Sequence, residues 1–156
     1  MTTKPILDIL LIEDEMSSTL LSDKISRELE GLVNIHRNGN SLSEDIEMYK
    51  DKEIDIIILD EEYTGIDAFE AVKLIRKKTP TSQIIVLAEE KEELKAHKVK
   101  SIGAYEYVVK DKIAADRVVY SIKDLWNNKY MLNENLRRFC LNNCVIIKII
   151  ISVGMW

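Results

Sequence analysis

At 156 residues the chain holds one ordinary domain and a short appendage, with no room for a second full domain. Its apolar fraction of 46% and charged fraction of 31% are those of a globular protein and exclude disorder over most of its length. A net charge of -5, from 22 basic and 27 acidic residues, excludes a free-standing nucleic-acid binder, which needs a basic face to displace counterions; no direct nucleic-acid contact is expected.

The first apolar run, "ILDILLI" at 6–12, reads as a strand; Asp8 interrupts it and Glu13 ends it, which a secretory signal does not tolerate. Leu21, Ile25 and Leu29 recur every four residues and predict a helix behind it. "LVNIH" at 32–36 is the second strand. The second helix carries Leu42, Ile46 and Tyr49 on one face, with Ser41 and Glu44 at capping-box spacing. "IDIIIL" at 54–59 is the third strand and runs straight into Asp60, Glu61 and Glu62. Asp67 and Glu70 open a third helix ahead of Phe69, Val72 and Ile75. The fourth strand is "QIIVLA" at 83–88. A highly charged helix follows from about Glu90 to Ser101, with Leu94 and Ile102 its clearest apolar positions. "YEYVV" at 105–109 is the fifth strand, and the fifth helix begins near Lys112.

Connections too long for hairpins predict right-handed crossovers. The class is therefore α/β: a five-stranded parallel sheet, helices on both faces and a C-terminal helical extension. In such sheets the functional crevice lies beyond the carboxyl ends of the strands. There the chain places Glu13 and Asp14, Asp60, Ala88 and Glu89, and Lys110. Carboxylates at about 4–6 Å repel by roughly a kilocalorie or more each, so the group asks for a cation. Hard oxygen donors suit Mg2+, which keeps several waters and favours a phosphate partner; Lys110 adds a compact positive charge. The pattern points to phosphoryl chemistry.

In order and spacing, the acidic pair of "LLIEDE", the acid of "IIILDEEYTGIDAFE" and the lysine of "GAYEYVVKD" resemble the receiver domain of bacterial two-component response regulators. The resemblance covers about residues 6–126 and implies the flavodoxin-like strand order 2-1-3-4-5. It implies a receiver at 1–126, then a helical extension and apolar tail at 127–156 with no room for an output domain. By the same resemblance Asp60 is the phosphoacceptor and Lys110 contacts the phosphoryl oxygens. Glu13, Asp14, Asp60 and the backbone carbonyl of Glu62 are the Mg2+ ligands. Tyr107 is the aromatic residue that changes rotamer, with simple packing an equal alternative. Such a protein assists its own phosphorylation and is not an enzyme acting on an outside molecule. The implied partners are a histidine kinase or phosphotransfer protein and an unidentified downstream protein.

The chain departs from the family pattern at several positions. Ala88 stands where a Thr or Ser is usual, Glu89 where a small residue is usual, Thr64 for a proline and Ala68 for a glycine. The missing hydroxyl is worth about 1.5–3 kcal/mol, against about 5.5 kcal/mol to invert a two-state equilibrium, so a weakened conformational response is expected. The alternative reading is a degenerate receiver acting as a phosphate-independent interaction or dimerisation module. A flavodoxin-like nucleotide binder is disfavoured, because "EDEMSS" after the first strand is acidic where phosphate would sit. Glu61, Glu62, Glu89 and Glu90 read as solvated loop charges, and His36 and His97, single and without partnered ligands, as ordinary strand and helix residues.

Cys140 and Cys144 have neither zinc nor disulfide spacing, which suits a reducing, cytoplasmic setting. Val118, Ile122, Leu125, Lys129, Leu132, Leu136 and Phe139 are spaced as a heptad seam with one lysine in it. The seam predicts either a last helix packed on its own domain or a homodimeric stalk. The ending "CVIIKIIISVGMW" is too short to span a membrane; its β-branched density suggests a sticky strand, a surface that needs covering or an interfacial anchor.

Overall fold

The structure is a computed structural model that describes residues 4–37 and 41–153. The elements are β1 (Leu7–Ile12), α1 (Glu15–Glu28), β2 (Val33–Arg37), α2 (Leu42–Tyr49), β3 (Ile56–Asp60), α3 (Glu61–Thr64), α4 (Ala68–Lys78), β4 (Gln83–Ala88), α5 (Glu93–Ser101), β5 (Glu106–Val109) and α6 (Ala114–Val153). All pairings are parallel and the strand order is β2-β1-β3-β4-β5, the order expected.

Alternation along the strands builds two apolar layers. Leu10, Ile12, Ile57, Leu59, Ile84 and Val86 face α2, α4 and α5, where Ile46, Val72, Ile75 and Val99 meet them. Leu7, Ile9, Leu11, Ile58, Leu87 and Val108 face α1 and α6 and pack on Leu21, Ile25, Val118 and Ile122. Each such fully buried side chain contributes about 1.5–3 kcal/mol. The central strands are thus covered on both faces, and their carboxyl ends open on the crevice.

The capping prediction holds in full for α2 and for the Asp67 half of α4, where Glu70 meets Lys73 Nζ at 3.3 Å instead of the cap. Ser41 and Glu44 close a reciprocal capping box on α2, and the Asp67 side chain accepts from the Phe69 N–H at the start of α4. Three details differ. Residues 61–64, whose charges suggest loop, form the short helix α3; four residues are too few to show a period, and it ends at Gly65 with φ 64. Leu94 is 81% exposed, and α5 is instead anchored by Val99, with Ile102 partly buried beside it. The last helix starts at Ala114, after an N-terminal bond from the Ile113 N–H to Asp111 Oδ1 at 2.9 Å.

The heptad seam divides into two parts. Val118 and Ile122 are buried on the domain and Leu125 is half-buried. At the seam's lysine, Lys129 Nζ reaches Asp55 Oδ1 at 2.6 Å, while Asp55 Oδ2 accepts from the Asp8 N–H at 2.9 Å. Trp126 Nε1 donates to Pro5 O at 2.7 Å and its ring stacks on Tyr130. Beyond this tether Leu132, Leu136 and Phe139 are exposed. The backbone from 144 to 153 continues as helix, so of the three readings of the apolar ending the strand gives way to the end of α6; residues 154–156 lie outside the described residues. Among the described residues no helix is long and apolar enough to cross a membrane.

Candidate functional site

Asp60 is the last residue of β3 and the N-cap of α3, and both roles aim its carboxylate into the crevice. It is 1% exposed; Oδ1 accepts from the Glu62 N–H at 3.0 Å and Oδ2 meets Lys110 Nζ at 2.6 Å. Lys110 follows β5 directly, and its own N–H donates to Ala88 O at 2.8 Å, which fixes the lysine's stem against the end of β4. The same ammonium lies 2.6 Å from Glu89 Oε1 and 3.8 Å from Glu62 Oε2. Burial works against its charge, yet the hydrogen bonds to Asp60 and Glu89 prevail and hold its pKa above the ordinary lysine value. In return the Lys110 hydrogen bond holds the Glu89 carboxyl below the usual range.

Glu13, just past β1, is 6% exposed, and its Oε1 is buried without a hydrogen-bond partner. Burial first, then the charges of Asp60 and Asp14, push its pKa up to about 7. Asp14 itself faces solvent. Among the described residues no three His, Cys, Asp or Glu side chains are grouped so as to hold a metal ion between them. What the crevice does present is an orphaned buried carboxylate oxygen beside two further acids. That donor set suits a hard cation that keeps most of its waters and needs only one or two carboxylates.

Tyr107, on β5, is half-buried against the α4–α5 layer, and its hydroxyl donates to Glu90 O at 3.4 Å. Burial raises its phenol pKa. Ala88, at the end of β4, is buried and brings no hydroxyl to the crevice. Thr64 Oγ1 donates to Glu61 O at 3.0 Å and Ile66 O at 3.2 Å, which ties the turn after α3; Ala68 is buried at the start of α4.

Glu61, Glu62 and Glu89, which read as solvated loop charges, and His36, which reads as an ordinary strand residue, all have partners. Glu89 is paired with Lys110 as described. Glu61 is largely buried against Lys95, whose ammonium also stands 3.7 Å from Asp67 Oδ2 and 4.0 Å from Glu92 Oε1. His36 Nε2 lies 2.8 Å from Asp8 Oδ1, with its ring tilted against Tyr49. Lys95 was missed outright; its one trace in the sequence is the three-residue spacing from Glu92, which any charged helix supplies. Beside the crevice, between α1 and α6, opens a cleft of about 640 Å³ lined by Glu13, Leu20, Lys24, Leu87, Lys110 and Ala115, among others.

The family model for the response regulator receiver domain matches residues 9–123. The chain belongs to that family. Among solved structures, it is similar to a response regulator receiver domain protein from Clostridium thermocellum, with 26% identity, a TM-score of 0.64, and coverage of 81% of this chain and 99% of that one. The signal receiver domain of a putative Luxo repressor protein from Vibrio parahaemolyticus matches at 18% identity and TM-score 0.67, covering 84% and 97%. A beryllofluoride-activated NtrC4 receiver domain dimer matches at 22% identity and TM-score 0.66, covering 78% and 97%. A search of curated proteins found no significant match. The receiver's crevice is the one at the carboxyl ends of β1, β3, β4 and β5, where Glu13, Asp60, Ala88 and Lys110 stand.

Proposed function

We propose that this receiver accepts a phosphoryl group on Asp60 and signals through protein contacts. The observation that carries the reading is the buried Asp60 carboxylate, held at once by the Glu62 N–H and the Lys110 ammonium, in a crevice with an orphaned Glu13 oxygen. An Asp60 oxygen gives its electron pair to phosphorus to form the new O–P bond while the bond from phosphorus to the donor's imidazole nitrogen breaks, and the imidazole leaves with the electrons of that P–N bond. Lys110 is the residue placed to turn from Asp60 to the oxygens of the transferred group. Glu13, Asp14, Asp60 and the Glu62 carbonyl would hold Mg2+. The ion, when bound, neutralises charge on the phosphoryl oxygens. Tyr107, through its bond to Glu90 O, links the crevice to the segment before α5.

In this reading residues 1–126 are the receiver unit and 127–156 the extension. The phosphodonor is a histidine kinase or phosphotransfer protein in the cytoplasm, and the protein modifies itself and no outside substrate. Retention of Asp60, Lys110 and Glu13 in one crevice weighs against a phosphate-independent module. The extension is a homodimer surface: Leu132, Leu136 and Phe139 form an exposed apolar stripe at heptad spacing beyond Lys129.

Intact-mass spectrometry after incubation with acetyl phosphate and Mg2+, beside Asp60→Asn, tests the acceptor. One added phosphoryl group in the parent and none in the variant is expected; an unmodified parent overturns the reading.

A further inference from the structure

The end of β4 carries no side-chain hydroxyl for an added phosphate to pull. Ala88 is buried and has no hydroxyl, yet the next residue reaches the same lysine that Asp60 uses. Glu89 Oε1 and Asp60 Oδ2 each stand 2.6 Å from Lys110 Nζ, so one ammonium is shared at hydrogen-bond distance by two carboxylates on adjacent strand ends, with Glu62 Oε2 farther off at 3.8 Å. We propose that Glu89 is the resting occupant of the place on Lys110 that a group added to Asp60 will claim, and that loading of Asp60 expels it. This rests on Asp60 being the acceptor.

The physical sequence is short. A phosphoryl group brings about two negative charges and three acceptor oxygens to the tip of Asp60. Lys110 has three donors on a flexible stem and turns toward the larger charge. Glu89 is then left against a like charge without its donor. Its side chain is 54% exposed, so it leaves for water at little cost. The segment it leaves is the one that carries the readout. Glu90 O receives the Tyr107 hydroxyl, and Glu92, the N-cap of α5, touches Lys95, the partner of Glu61 next to the acceptor. Release of Glu89 thus frees the β4–α5 segment at its first residue. In this receiver the segment is pushed by charge, where a hydroxyl at position 88 would draw it inward.

The test uses the full chain, its Glu89→Gln and Glu89→Ala variants, and beryllofluoride with Mg2+ as the phosphoryl mimic. Fluorine NMR reads occupancy and amide NMR reads the segment. In the parent, loading is expected to shift the amides of Glu89 to Glu92 and Tyr107. In both variants those amides should already stand near their loaded positions without the mimic, because charge and not bulk holds the segment. Both variants should take the mimic about two- to fivefold more tightly, the range for an exposed ion pair. Bound fluorine signal in the parent with unmoved Glu89–Glu92 amides, or variants that keep the parent's resting positions, overturns the expulsion alone. No bound signal in any of the three proteins overturns the acceptor reading and the expulsion with it.

Discussion

Lys129 and Asp55, 74 positions apart in the chain, meet at 2.6 Å beside the amino ends of β1 and β3. The pair lies at the end of the sheet opposite the crevice and turns a position of the heptad seam into a tether. Lys129→Met should cost about 0.5–1 kcal/mol, the range for a partly exposed ion pair. Asp55→Ala should cost more, about 1–2 kcal/mol, because it also orphans the Asp8 N–H. Urea unfolding of the two variants checks the order; equal midpoints would contradict it.

Glu13 sets a pH dependence. Its folded pKa of about 7 lies above the ordinary 4.5, so the folded state binds this proton more tightly than the unfolded chain does. The corresponding stability is full below about pH 4.5 and is lost as the pH rises through 7. Glu13→Gln should therefore be more stable than the parent in metal-free buffer at pH 8, by on the order of 2–3 kcal/mol. Added Mg2+ should stabilise the parent and leave the variant nearly unchanged. Thermal unfolding at pH 5 and pH 8 with and without Mg2+ reads both effects.

Tyr105 acts at the alkaline end. Its hydroxyl donates to Asp124 Oδ2 at 2.5 Å, and that bond, ahead of burial, pushes its pKa from 10.0 up to about 12. The sign follows from the raised value: the contribution is full below pH 10 and disappears as the pH passes 12. Tyr105→Phe should lose about 1 kcal/mol at pH 8. The gap to the parent should narrow by pH 11 in denaturant titrations.

Gly103 is constrained twice. Its φ of 109 is a conformation that side chains rarely adopt, and an added Cβ would stand 2.7 Å from Arg76 Nε. Arg76 cannot retreat freely, since its guanidinium donates to Pro80 O, Ser82 O and Gly103 O and so joins the end of α4 to the turns on either side of β4 and α5. Gly103→Ala should destabilise by about 1–3 kcal/mol. A thermal midpoint equal to the parent's would refute the clash.

The extension is open to a direct test by sedimentation. With the stripe intact the full chain is expected to sediment as a dimer. Leu132→Lys combined with Leu136→Lys should return it to a monomer with its domain fold unchanged by circular dichroism. A parent that is monomeric at high concentration would remove the dimer surface.

Much of this architecture was legible because the acids and the lysine of the crevice each follow a β-branched run, and strand ends in a parallel sheet share one rim. Asp60, Glu13 and Lys110 therefore came together as their spacing implied. Leu94 misled because α5 is short and charged, with its burial concentrated on Val99. Glu89 and Glu61 looked solvated because their partners, Lys110 and Lys95, are 21 and 34 positions away, and no local spacing announces such pairs. Lys129 shows the same limit: a heptad records which face a residue occupies and says nothing of Asp55 waiting on the other side.

One helix runs without a break from Ala114 to Val153, and the contacts described between it and the sheet fall in its first half. A rod of that kind is a lever. The 24 residues past Lys129 extend about 36 Å, so a tilt of about 5° where α6 is docked sweeps its far end through about 3 Å. Small repacking around Val118 and Ile122, too slight to alter the sheet, is thereby magnified at a point well clear of the crevice.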